Sequence, residues 1–215
     1  MFTGIIEAAL PLTSAADAGG VRRMSLDLSS LRDHAGIRLG DSVALNGCCL
    51  TVAKLEGNLA TFEAIPETLR LTNLGGLQPG ALVNVERAMQ AGARFDGHFV
   101  QGHVDGVGEV AGIEDRGGEW RVRIACGREI ADQCIPKGSV CLDGISLTIA
   151  ELHEDSFVVA IIPHTRQVTS IRAWGKGTRV NLEADMIGKY VRRQLQQQTR
   201  SSIDDDLLRR AGFIS

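Results

Sequence analysis

Two short phrases of this 215-residue chain carry residue types that could do chemistry. LNGCCLTV at 45–52 holds a thiol at Cys49 and a hydroxyl at Thr51. LDGISLTI at 142–149 holds hydroxyls at Ser146 and Thr148, and a carboxylate at Asp143 where the first phrase has Asn46. A thiol can attack and a carboxylate can take a proton, whereas an amide cannot act as a general base. If two copies of one unit hold the same small ligand, Cys49 against Ser146 and Asn46 against Asp143 are where the sites would differ in role. A structural reading has equal weight: Gly47 and Gly144 allow a positive φ in a turn, and the apolar residues alternate into a core. Between the phrases lies DGHFVQGHVDGVG at 96–108, with His98 and His103. A histidine in such a glycine-rich stretch is most often structural, but His103 would suit proton transfer near neutrality. Gly102 and Gly106 would let a planar ligand approach the backbone. The His-x-x-x-x-His spacing is not a helical i, i+4 pair and no third ligand is close, so a metal is not expected.

The two phrases belong to a longer repeat. A gapless shift of 97 residues pairs IPETLRLT (65–72) with IPHTRQVT (162–169), and GALVNVE (80–86) with GTRVNLE (177–183). Roughly a third of positions 40–86 are identical under that shift, well above chance. With a small gap, TGIIE (3–7) matches DGVGE (105–109). The division expected is 1–97, 98–185, and a tail of 186–215. Within the first unit VRRMSLDL, SVALN, CLTVAKLE, LATFEAI and LVNVE have strand length and a period near two. The second unit repeats this with VRIAC, SVCLD, SLTIAEL, FVVAII and RVNLE. Many short strands in so few residues predict a closed barrel, because closure removes exposed edges. Pro66 at a first helical position predicts a helical turn or two over 66–74. In the tail, Ile187, Tyr190, Val191 and Leu195 form one apolar stripe of a helix over 185–198, capped by Asp185. Its own barrels or another copy of the chain could cover that stripe. A second short helix is expected over 202–213, with acidic residues early and arginines late.

Composition excludes several classes. A net charge of −3 and 4% aromatic residues give neither a basic field nor a stacking platform for nucleic acid. No apolar run approaches a membrane span, and MFTGIIEAAL has no basic region of a signal peptide. The five cysteines, Cys48, Cys49, Cys126, Cys134 and Cys141, are odd in number and contain no C-x-x-C pair. Buried thiols in a reducing cytoplasm are expected rather than a zinc site or a disulfide framework. No phosphate-binding loop, strand-linked G-x-G-x-x-G or hydrolase G-x-S-x-G elbow is present.

MFTGIIE, GDSVALNGCCLTV, ETLRLTNLG, GHFVQGHVDGVG, KGSVCLDGISLTI and VNLEADMIGKYV together resemble the riboflavin synthase alpha-chain family, nearly end to end and fading only after about residue 198. The resemblance implies an all-β fold: two tandem six-stranded Greek-key-like β-barrels, then a C-terminal α-helix through which three chains assemble as a homotrimer. It implies a transferase of the cytoplasm, in which two molecules of 6,7-dimethyl-8-ribityllumazine exchange a four-carbon unit. The products are riboflavin and 5-amino-6-(D-ribitylamino)uracil, with no cofactor. Association with lumazine synthase is left open.

The same resemblance implies the site residues. Those with roles in turnover are Phe2, Ser42, Cys49, His103, Ser146, Thr148 and Asp185. His103 would move protons, Ser146 and Thr148 would orient the acceptor, and Cys49 would assist adduct formation. Substrate would lie in the N-terminal barrel against Gly4, Ile5, Ile6, Cys48, Cys49, Leu50, Thr51, Phe62, Glu63, Ala64, Ile65, Pro66 and Glu67. In the C-terminal barrel it would meet Gln101, Gly102, His103, Lys137, Ser146, Leu147, Thr148, Ile161, Ile162, Pro163, His164 and Thr165. His164 stands where the first repeat has Glu67, and Arg166-Gln167 where it has Leu69-Arg70. A non-catalytic lumazine- or flavin-binding relative is the alternative. Retention of polar residues in both phrases favours the enzyme.

Overall fold

The structure, a computed structural model, describes residues 1–31, 34–200, 209, 210 and 212. The first barrel is built from β1 (Ala8–Ala18), β2 (Val21–Asp27), β3 (Ser42–Leu45), β4 (Cys48–Glu56), β5 (Leu59–Ala64) and β6 (Leu82–Arg87). The second uses β7 (Gly106–Arg116), β8 (Glu119–Ala125), β9 (Ser139–Leu142), β10 (Ile145–Leu152), β11 (Ser156–Ile161) and β12 (Arg179–Ala184). Both close with the same ring order, β1-β2-β5-β4-β3-β6 and its counterpart in the second repeat, and all pairs are antiparallel. Along β4, Cys48, Leu50 and Val52 point into the core of the first barrel. Along β10, Ile145 and Ile149 do the same in the second, with Leu147 packed against them. The alternation therefore turns Cys49, Thr51, Ser146 and Thr148 to the outside of their barrels.

Two strands were not legible as strands. β1 and β7 read as AALPLTSAADA and GVGEVAGIEDR, rich in Ala, Gly, Pro and Asp, which are poor strand formers. Each wraps the corner of its barrel. Ala8–Pro11 pairs with β6, whereas Leu12–Ala18 pairs with β2 across a bulge between Leu12 and Ser14. The bulge bends the strand enough to close the ring. The helical turn predicted from Pro66 is present as α1 (Pro66–Leu71), and its counterpart in the second repeat as α3 (Pro163–Val168), each with proline in the first turn. A further short helix, α2 (Gly127–Ala131), was not anticipated.

The matching of 3–7 with 105–109 is corrected by the hydrogen bonds. Glu86 accepts from the amides of Thr3 (2.7 Å) and Gly4 (3.0 Å), and Glu183 accepts from those of Gln101 (2.7 Å) and Gly102 (3.0 Å). Gly4 therefore corresponds to Gly102. The two segments also pair with each other, Phe2 N–H donating to Val100 O (2.8 Å) and Val100 N–H to Phe2 O (3.2 Å). A local two-fold axis passes between them.

The same axis passes between the turns of the two opening phrases. A Cβ on Gly47 would lie 2.6 Å from the amide nitrogen of Gly144, and one on Gly144 would lie 2.8 Å from that of Gly47. Asn84 Nδ2 donates to Asp143 O and Asn181 Nδ2 to Asn46 O, both at 2.8 Å. Asn46 Oδ1 accepts from Asn84 N–H (2.8 Å) and Asp143 Oδ1 from Asn181 N–H (2.7 Å). This corrects the expectation that Asn46 and Asp143 mark ligand roles. Both are buried in the seam, tying turn to strand and barrel to barrel. Their difference has a local cause: Asp143 receives one donor besides Asn181, the Asn73 amide at 3.0 Å.

The tail helix is α4 (Met186–Arg200). Its polar side faces its own chain, where Lys189 Nζ reaches Asp105 at 2.6 Å and Arg192 reaches Asp132 at 3.7 Å. Ile187, Tyr190, Val191 and Leu195 are each more than half exposed, so the chain's own barrels do not cover the stripe. The helix expected over 202–213 lies almost wholly outside the described residues.

Candidate active site

The outward rows of the two barrels are the functional candidates, because there strand geometry presents polar side chains next to segments of backbone. On the first barrel, Ser42 pairs in register with Thr51, and Ala44 with Cys49. On the second, Ser139 pairs with Thr148, and Cys141 with Ser146. Each row is crossed by a segment clamped to the other barrel. Cys49 N–H donates to Gly102 O at 2.9 Å, and Ser146 N–H donates to Gly4 O at 2.8 Å. Side chains at the two glycines would collide with Cys49 and Ser146, which is why both positions are glycine. Gly4 and Gly102 each bridge both barrels instead of serving only the one to which sequence assigned them.

Phe2 is fully buried and packs with Val100, Ala44 and Cys141 between the barrels, with Cys49 against this cluster. Its contribution is to hold the crossing segment. Cys49 is half-buried, unlike the other four cysteines. Burial pushes the Cys48 and Cys134 thiols up to about 12 and that of Cys126 up to about 11, leaving them as inert core groups. No disulfide is formed.

Phe62, Ala64, Leu50, Cys48 and Ile161 also point into the barrel cores, so only their backbones can face a ligand. The register Val52↔Phe62 runs the start of β4 beside the end of β5, and Ile149↔Val159 does the same in the second barrel. The stretches 62–67 and 161–165 thus continue the walls formed by the two rows. Ile65, Pro66, Ile162, Pro163 and His164 are exposed at those rims. Glu63 and Glu67 are engaged with Arg23 and Arg70. Arg166 lies 3.7 Å over the Trp120 ring, so its replacement of Leu69 is accommodated by an aromatic partner. Thr148, Thr51 and Lys137 are exposed, and Lys137 has φ 66° where the first repeat has Gly40. Ser42 and Ile5 line a cavity of about 770 Å3 whose wall includes Glu86, Arg87, Met89 and Arg94.

His103 is exposed, and among the described residues its ring makes no hydrogen bond. Asp185 accepts from Ile187 N–H at 2.9 Å and caps α4. Sequence reasoning missed His98. Its Nδ1 lies 2.7 Å from Ser146 Oγ, although 48 residues separate them. No local pattern signals that contact, which depends on the crossing segment. Burial lowers the pKa of His98, opposed by the charge of Asp185, so the imidazole is neutral at neutral pH. Burial raises Glu86, and raises Glu183 to about 7, against the amide bonds that favour the carboxylate. Among the described residues no group of three or more His, Cys, Asp or Glu is gathered as metal ligands, and no helix is long and apolar enough to cross a membrane.

Two copies of a lumazine binding domain define this class of protein, and the sequence matches that family over residues 3–88 and again over 101–185. The fold is that of LumP complexed with riboflavin, with a TM-score of 0.79 over 86% of this chain and 99% of that one at 22% identity. The chain is 42% identical to a riboflavin synthase of Bacillus amyloliquefaciens over 94% of each chain. It is 40% identical to that of Bacillus subtilis over 99% of this chain and 100% of the relative. A riboflavin synthase of Actinobacillus pleuropneumoniae is 39% identical over the same shares. The chain belongs to the riboflavin synthase family.

Proposed function

We propose that the protein is a riboflavin synthase, a transferase converting two molecules of 6,7-dimethyl-8-ribityllumazine into riboflavin and 5-amino-6-(D-ribitylamino)uracil. The observation that carries this is the pair of matched outward rows, alike in scaffold and unlike in chemistry, on two lumazine-binding barrels. A reaction between two copies of one substrate needs two similar sites. Because one copy gives and the other receives four carbons, the sites must also differ. Holding both rings in place converts a slow encounter into a pre-oriented reaction. The substrate's methyl group is already acidic, so modest acid–base help is enough. Ser146 and Thr148 orient one lumazine, Cys49 and Thr51 face the other, and His103 at the open rim moves protons.

The units are 1–97, 98–185 and a tail of 186–215. We infer further that three chains assemble in the cytoplasm, with each site shared between neighbouring copies; the exposed stripe of α4 supports that helix as the contact. Incubating the purified chain with the lumazine alone, and following riboflavin by absorbance, tests the function. Tight lumazine binding without riboflavin formation would sink the enzyme and leave a lumazine-binding protein. Truncation before Met186 is expected to give monomers of little activity by sedimentation and the same assay. An active monomer would contradict the shared site.

A further inference from the structure

His98 has no role in the reading above, yet it is the side chain bound to Ser146. It is 7% exposed, and its Nε2 is buried without a hydrogen-bond partner among the described residues. Its backbone is held where the two barrels meet, His98 N–H donating to Thr3 O at 3.1 Å. Ser146 is held equally firmly, its N–H on Gly4 O. The 2.7 Å contact therefore joins two residues whose backbones cannot drift apart.

A serine hydroxyl left alone rotates freely among its staggered positions. Bound to a neutral imidazole it cannot. In either tautomer the bond occupies one side of Oγ and leaves the remaining hydrogen or lone pairs in one direction. Across the local two-fold axis the equivalent of Ser146 is Cys49, and among the described residues no side chain hydrogen-bonds its thiol. One row thus presents a directed hydroxyl and the other an undirected thiol.

We propose that His98 is a positioning residue of the reaction, orienting the Ser146 hydroxyl toward the substrate of the C-terminal barrel and so making the two sites unequal. This rests on the riboflavin synthase reading, and the experiment separates the two. Full-length wild type, His98→Ala, Ser146→Ala, the double variant, His98→Asn and His98→Gln are assayed for riboflavin formation from 6,7-dimethyl-8-ribityllumazine. Lumazine binding is followed by fluorescence. His98→Ala is expected to lower kcat about ten-fold or more with KM changed by less than about three-fold. In the Ser146→Ala background it should cause no further loss. His98→Asn, whose amide reaches the place of Nδ1, should recover most of the rate, and His98→Gln, whose amide reaches that of Nε2, should not. The inference is overturned if His98→Ala keeps its rate within about two-fold, or if the two single losses multiply in the double variant. Should the alanine variant not fold, the Asn and Gln variants decide, and equal activity or rescue by Gln alone overturns the inference. Wild type that binds lumazine but makes no riboflavin would instead sink the function itself.

Discussion

The outer face of β3–β4 and that of β9–β10 share register, turn and crossing segment, yet they offer different chemistry. Cys49 and Thr51 stand on one, Ser146 and Thr148 on the other, in the same outward positions of the pleat. Where the halves must fit one another, at Gly47 and Gly144 or Asn84 and Asn181, residue identity is kept. In the outward rows Ser42 and Ser139, and Thr51 and Thr148, are likewise alike, and the difference is concentrated at Cys49 against Ser146. The difference teaches that a duplicated barrel can keep its scaffold in seam and rows alike and specialise at single positions, Cys49 against Ser146 outside and Asn46 against Asp143 within the seam.

Seven substitutions, in four groups, break or sharpen that comparison. The largest effect is expected from Gly47→Ala or Gly144→Ala. Each sets a methyl against the opposite turn and a positive φ, and should cost about 3 kcal/mol by denaturant unfolding. The two losses should be alike; a mild effect at one alone would mean that the seam is not two-fold. Next, Ser146→Ala should lower kcat about 100-fold, and Cys49→Ala about ten-fold, in the riboflavin assay. Equal losses would argue that the rows have not diverged in role.

Glu183→Gln and Glu86→Gln come third. An amide offers one acceptor where the carboxylate takes two amides, so each variant should lose about 1–2 kcal/mol of stability by thermal melting. A neutral or stabilising result would mean that the buried charge costs more than the second bond returns. Asp143→Asn should be smallest, within about 1 kcal/mol at pH 5, since Asn46 already makes the corresponding bond with an amide. Its effect lies in the pH dependence. Burial pushes Asp143 up to about 7, whereas the unfolded chain ionises it near the ordinary aspartate value. Between those values the folded chain holds the extra proton, so this group makes stability fall as pH rises through that window. The asparagine variant should melt with a flatter dependence between pH 5 and 7. An unchanged slope would assign the dependence to Glu183, which burial also raises to about 7.

The 97-residue repeat, the period of two along β4 and β10, and Pro66 and Pro163 at their helix starts were written in the sequence. These are local patterns: a pleat turns alternate residues inward, and proline suits a helix's first turn because no N–H is needed there. The polar rows at Cys49, Thr51, Ser146 and Thr148 were legible for the same reason, and so was the stripe of α4. The corner strands β1 and β7 were not, because their composition is poor for strands and only ring closure supplies their partners. Nor did local pattern reveal that Asn46 and Asp143 lie in the seam, that Phe2 is buried, or that His98 rests on Ser146. Those facts depend on two segments far apart in the chain crossing at one axis, with carboxylates of the barrels holding their amides. The sequence by itself determined the two barrels and the residues they show; only the tertiary structure decided which of those residues meet, since a contact across 48 or more residues is made by closure and docking and leaves no period in the chain.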